Sequence, residues 1–465
     1  MKRLQIAFIL LFFLLLAVPM AAFSRGEGIV SEIDNRMLAE NPLRKDVSID
    51  PDRGLSGMLE DYISDRIGFR SGMIRFYTRI HDKLFGIMIH PTYTYGKDGF
   101  VFFRNPGDGP ECTEYHRIFA DMAIRIQQYC EERDVPFLFV FNPIKNAVLQ
   151  DKLAEGVNFN NDWKKEFFSI LDENDVRYVD NTDLLREKSE AGETVFNQKY
   201  DAGHWNDLGA FYGVNNMLSA LQEDFPVLKP NRQSEYAIEQ RLRTSLRVSE
   251  FPIHEYEPVY TMKGFVEDMT EQYDGEVKRE SGFDYFRYTI NEDRRKDGAP
   301  RTLVFQGSYM INQGYKFLDN RLGEYIAVHD YQNVTRFDYY YNLFQPECVI
   351  FEVGEYVFSD RYFDRDAMKA AQLNPPLSSF EGLPEVKMAL ESGQIRFESG
   401  KTITTVTVSD LPGNTTCAYL IMDGVSYDMH REEGVYTLAV LKEVVDTPTV
   451  VAYSETDQTL YVLGN

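Results

Sequence analysis

The stretch TLVFQGSYMINQG, residues 302–314, decides the fold class. Its opening residues run apolar without polar alternation, as a strand buried on both faces must. Gly307 and Ser308 end that run abruptly, and the spacing beyond predicts a helix starting near Gly314. VPFLFVFNP (135–143), IAVHDY (326–331) and ECVIFEVGEY (347–356) read the same way, with a shorter VRYVDN at 176–181. Helical patterns fall between these runs, over about 113–133, 161–174, 183–191 and 206–221, the last capped by Asn206 or Asp207. Such alternation predicts an α/β fold, an open parallel sheet with helices on both faces.

Working outward, YTYGKDGFVFF (93–103) is a hairpin signal, a Lys-Asp-Gly turn between aromatic strands. Residues 55–86 carry apolar side chains at helical spacing, with Gly68 and Gly72 as candidate breaks. Residues from about 222 to Pro300 are charged and read as irregular. Past 371 the text changes: prolines mark a linker, then short alternating strands with Gly, Asp and Asn turns predict a small β-sandwich. The expected organisation is 1–24 membrane helix or signal peptide, 25–92 stalk and helical segment, 93–371 α/β domain, 372–393 linker and 394–465 β-sandwich.

Lys2 and Arg3 precede an uncharged run, Leu4–Ser24, that as a helix would span about 30 Å. The positive flank predicts a cytoplasmic N-terminus with the body outside. The exit offers Ala21 and Ala22 without a clean small-x-small cleavage site, so an uncleaved anchor is expected, with a cleaved signal as the rival. A formal net charge of -24 argues against nucleic acid as a partner, and against adhesion of the folded part to anionic lipid. Cys112 and Cys130 flank one predicted helix, too far apart to bond, and none of the four cysteines has zinc spacing, so buried free thiols are expected.

The chemistry lies in KYDAGHWNDLGAFYG, residues 199–213. Asp201 precedes His204 by three positions, in a loop before a helix. A serine is not nucleophilic at neutral pH without a base, and the base needs an orienting acid. Asp201, His204 and Ser308 would fill those three roles, with backbone N–H groups of Ser308 and Tyr309 positioned to bind an oxyanion. Against this stands the plain reading that Asp201 caps a turn and His204 is half-buried above Trp205. His204 has no neighbouring His or Cys to form a metal site, and no cofactor is expected.

The chain resembles the SGNH-hydrolase-like proteins of the AlgX, AlgJ and DHHW type, which act in O-acetylation of exported bacterial polysaccharides. The resemblance rests on EIDNRMLAENP (32–42), LEDYISDRIGFR (59–70), YGKDGFVFF (95–103), FNPIKNAV (141–148), DAGHWNDLGA (201–210) and QGSY (306–309), in that order. Two residues separate Asp201 from His204 where those proteins have one, which leaves Asp207 as a second candidate for the acid. The resemblance implies an extracytoplasmic O-acetyltransferase working through an acetyl-serine. It also implies a polysaccharide acceptor and a membrane-bound acyltransferase as acetyl donor. A carbohydrate acetylesterase and a silent polysaccharide-binding scaffold are the alternatives. Asn312 and Asn142 are candidates for the oxyanion site and Lys145 for contact with an anionic sugar. Tyr419, Tyr427, Tyr436, Tyr453 and Tyr461 would stack on sugar rings or serve as core.

Overall fold

The computed structural model describes residues 2–464 apart from 25–29, 32–35, 46, 48, 50–52, 90–91, 106, 246–251, 372, 413, 433 and 442–447. Part of the expected stalk, and residues 32–35 of the first resembling segment, therefore lie outside the described residues.

The centre is a seven-stranded sheet built from β1 (Phe137–Asn142), β2 (Tyr178–Asp180), β3 (Glu267–Asp268), β4 (Phe286–Ile290), β5 (Arg301–Gln306), β6 (Glu324–His329) and β7 (Cys348–Gly354). Their spatial order is β2-β1-β7-β5-β6-β4-β3. The first five are parallel, while at one edge β4 pairs antiparallel with β6 and β3 antiparallel with β4, so the sheet is mixed and not wholly parallel as expected. Every residue of β1 and β7 is buried. The pleat sends alternate side chains to opposite faces. Phe139, Phe141, Leu303 and Phe305 enter one core with the helices Glu114–Glu131, Trp163–Glu173 and Phe337–Phe344; Leu138, Val140 and Val304 enter another with Asp207–Ala220. Burial on both faces is why these strands carry no polar alternation.

Helix ends follow local chemistry. Thr113 and His116 form a capping box at the start of Glu114–Glu131, and the Asn206 side chain accepts from Leu208 and Gly209 N–H at 3.0 Å each. After β5 the helix begins at Ser308, six residues before the expected start, and passes through a π-turn at Met310–Gly314. The 55–86 segment is two helices, Gly54–Arg66 and Arg70–Phe85, broken at Phe69, whose φ is 61°.

The stretch expected to be irregular holds an antiparallel ribbon, Tyr236–Ser245 with Pro252–Met262, besides β3 and β4. Strands continue at the C-terminus, starting with Glu385–Ala389, inside the stretch read as linker. Eight strands there form one hydrogen-bonded run bent about Val425–Glu432. This strand pairs with Thr415–Met422 through its first half and with Val435–Leu441 through its second. Tyr419 and Tyr436 are buried in this unit and so offer no ring to a sugar, while Tyr427, Tyr453 and Tyr461 are half-buried. The unit is fixed to the α/β body through Asp428, which accepts from Arg133 at 2.7 Å and from the Tyr129 hydroxyl, and through His430, 2.9 Å from Asp338. All four cysteines are free thiols, three of them buried.

Candidate active site

The carboxyl ends of the parallel strands converge on one place, as open α/β sheets arrange it. Ser308 follows β5, Asn142 ends β1, and Tyr356 lies just past β7. The 199–206 loop is laid across these ends. His204 Nε2 is 2.8 Å from Ser308 Oγ, and His204 Nδ1 is 3.1 Å from both oxygens of Asp201. Asp201 Oδ1 also accepts the backbone N–H groups of Gly203 and His204 at 3.0 Å, which fixes the carboxylate in place. Both Asp201 and His204 are buried, while Ser308 is partly exposed.

One residue at this site escaped the sequence reading. The Tyr356 hydroxyl is hydrogen-bonded to Ser308 Oγ, and the Tyr331 hydroxyl donates to that of Tyr356 at 3.3 Å. Burial raises the Tyr356 phenol above its ordinary value, so it remains a neutral donor. The groups then align in one direction: Tyr331 donates to Tyr356, Tyr356 to Ser308, Ser308 to His204 Nε2, and His204 Nδ1 to Asp201. The available signal was its position, at the end of a buried parallel strand. Tyr356→Phe removes one donor beside the serine oxygen and is expected to lower turnover of an acetyl ester roughly 10²-fold with the fold intact, measured by steady-state kinetics and circular dichroism.

The loop is held from several sides. Phe103 N–H donates to Ala202 O and Val101 N–H to Gln198 O, so the 93–103 hairpin pairs with it. The Glu255 carboxylate, from the ribbon, accepts Lys199 N–H at 2.8 Å and Tyr200 N–H at 3.0 Å. A Cβ on Gly203 would lie 2.1 Å from a ring carbon of Phe103, so only glycine allows this approach. Trp205 donates to Tyr309 O, and the Tyr309 hydroxyl donates to Pro143 O and Gly203 O.

Two expected substrate contacts are corrected. Lys145 is fully buried, and its ammonium donates to Val101 O, Gln198 O and Asp201 O at 2.8, 3.0 and 3.3 Å. Burial pushes it down to about 7, countered by Glu255 and Asp201. It braces the 199–206 loop from within and has no exposed face to offer a sugar. Asn142 is also buried and committed, donating to Glu352 at 2.7 Å and accepting from Asn181 at 2.8 Å, so its amide is turned into the core and away from an oxyanion. The Tyr309 side chain is likewise committed, leaving only its backbone N–H. Asn312 lies one turn beyond Ser308 and lines a cleft with Asp207, Arg287 and Lys316. Asp207 accepts from Lys316 Nζ and Tyr260 N–H, both at 2.7 Å, and is no rival acid for His204.

Beneath Gly307 lie two buried acids. Gly307 N–H donates to Glu352 at 2.7 Å, and a Cβ at Gly307 would be 3.5 Å from both Asp330 oxygens. Glu352 is pushed up to about 8, by burial first and the charge of Asp330 next. An unfolded glutamate loses its proton near 4.5, whereas this one keeps it to about 8. The native state therefore binds more protons across that window, and stability falls as pH rises through it. Urea denaturation at stepped pH is expected to show this decline, with a flatter slope in Glu352→Gln.

In sequence, no family model and no curated protein matches the chain. Solved structures do. PatB1 from Bacillus cereus is similar at 16% identity over 57% of this chain and 97% of its own, with a TM-score of 0.43. A DHHW family protein from Eubacterium siraeum is similar at 16% identity over 61% and 100%, TM-score 0.41. The O-acetyltransferase domain of AlgJ from Pseudomonas putida is similar at 15% identity over 63% and 96%, TM-score 0.39.

Proposed function

We propose that the protein is an acyltransferase in which Ser308 is the nucleophile, His204 the general base and acid, and Asp201 the group that orients His204. The observation carrying this reading is the pair of contacts on one imidazole, Nε2 to Ser308 Oγ at 2.8 Å and Nδ1 to Asp201 at 3.1 Å. That geometry is what activation of a serine requires. Ser308 Oγ attacks the acetyl carbonyl of a donor while His204 Nε2 takes its proton. The tetrahedral oxyanion is met by the N–H groups of Ser308 and Tyr309, at the start of a helix where N–H groups lack intrahelical acceptors. His204 returns the proton to the departing group, leaving acetyl-Ser308. An acceptor hydroxyl then repeats the sequence in reverse, giving its proton to His204 as the new ester forms and Ser308 is restored.

The resemblance noted in the sequence supports acetyl as the group moved and an exported polysaccharide as the acceptor. A helix at Arg3–Ala21 long and apolar enough to cross a membrane supports an extracytoplasmic body, and the resemblance implies a membrane-bound acyltransferase as the acetyl donor. The test supplies the full chain with a chromogenic acetyl ester, with and without glycan oligosaccharides. Acetylated oligosaccharide with suppressed acetate release supports the transferase. Acetate alone, unaffected by any glycan, makes the site an esterase. Failure to turn over any acetyl ester would leave the scaffold reading.

A further inference from the structure

The helix Arg70–Phe85 carries an unusual surface for a chain of net charge -24. Met73, Phe76, Tyr77 and Leu84 are 45%, 67%, 52% and 69% exposed, at spacings that place them on one side with Ile80. Phe85, the last residue of the helix, and Ile87, just past it, are also exposed, at 63% and 54%. Over residues 70–87 there are four basic side chains and a single carboxylate, Asp82; Arg70 is 3.9 Å from Asp65, Arg75 is half-buried, and Arg79 and Lys83 are exposed. The reverse side is already committed to the protein: Thr78 donates to Ile89 O at 2.9 Å, and Asp82 accepts from the Tyr95 hydroxyl at 2.6 Å. The apolar side therefore faces away from the body.

Its position says what covers it. The turn that starts this helix is hydrogen-bonded to the end of the N-terminal apolar helix: Gly68 N–H donates to Pro19 O at 3.0 Å, and Ser24 N–H to Arg66 O at 3.0 Å. If Arg3–Ala21 crosses the bilayer, Phe69 is held at the level where that crossing ends. A helix with an apolar stripe flanked by Arg and Lys is suited to that boundary, with its rings among acyl chains and its cations at headgroup phosphates.

We propose that Arg70–Phe85 is an interfacial helix lying in the outer face of the bilayer that the N-terminal helix crosses. Docking the body through Asp82 and Tyr95 would then set the 93–103 hairpin, and the acid–base loop paired to it, at a fixed height above the membrane. The net-charge argument against lipid adhesion fails locally, because the charge is segregated.

The test uses the full chain with Cys417→Ser as background, reconstituted in vesicles of roughly three parts phosphatidylcholine to one part phosphatidylglycerol. An environment-sensitive label is placed singly at Phe12→Cys, Phe76→Cys, Leu84→Cys or Ser71→Cys, the last on the side opposite Phe76. Spin-labelled lipid is expected to quench positions 12, 76 and 84 at least about threefold more than 71. Quenching at position 12 alone overturns the inference and turns the patch over to a protein partner. Equal quenching at 71 and 76 also overturns it, and an unquenched label at position 12 removes the anchor on which it depends.

Discussion

Ser308→Ala is expected to lower turnover of a chromogenic acetyl ester by about 10³-fold or more, leaving the fold unchanged. The size of the effect follows from the arrangement. Ser308 Oγ sits between the imidazole of His204 and the phenol of Tyr356 and is hydrogen-bonded to both. Without it, neither group has a nucleophile to act on. Alanine adds no bulk, and since Ser308 is partly exposed, water can take the place of its hydroxyl beside His204 Nε2 and Tyr356. A thermal melt unchanged from the wild type would confirm that the loss is chemical.

Asp201→Asn is expected to cost about 10⁴-fold in kcat with a modest change in KM. The substituted side chain presents an amide N–H where the carboxylate accepted, so the Nδ1–H tautomer of His204 loses its partner. Nε2 is then protonated and no longer accepts from Ser308. The substitution also loosens the turn, because the carboxylate accepts Gly203 and His204 N–H. A kcat loss of similar size in His204→Ala, with no additivity in the double variant, would identify the two as one unit.

Much of the site was legible because its parts obey local rules. β1, β5, β6 and β7 have apolar centres since helices cover both their faces, and Ser308 follows one of them at the end where open sheets place their chemistry. Asp201 and His204 are near neighbours in sequence. What was illegible depends on long-range placement. Lys145 looked like a surface cation because nothing nearby in sequence reveals the three carbonyls, from 44 to 56 residues distant, that bury it. Tyr356 and Glu352 looked like ordinary strand residues, and their roles appear only when β7 lies beside β1 and β5. The 236–262 ribbon was missed although it alternates, with Glu239, Arg241 and Arg243 on the same face as Glu255 and Glu257, because the density of charge in the whole stretch outweighed that pattern. Glu385–Ala389 was read as linker because it follows a run of prolines, and it is exposed along its whole length.

The most direct test is peptide mapping by mass spectrometry after rapid acid quench of the full chain with a chromogenic acetyl ester. A single acetyl group on the peptide containing Ser308, absent from Ser308→Ala, is the predicted result. Label accumulating on another residue, or equally in the alanine variant, would show that the hydroxyl beside His204 carries no acyl group.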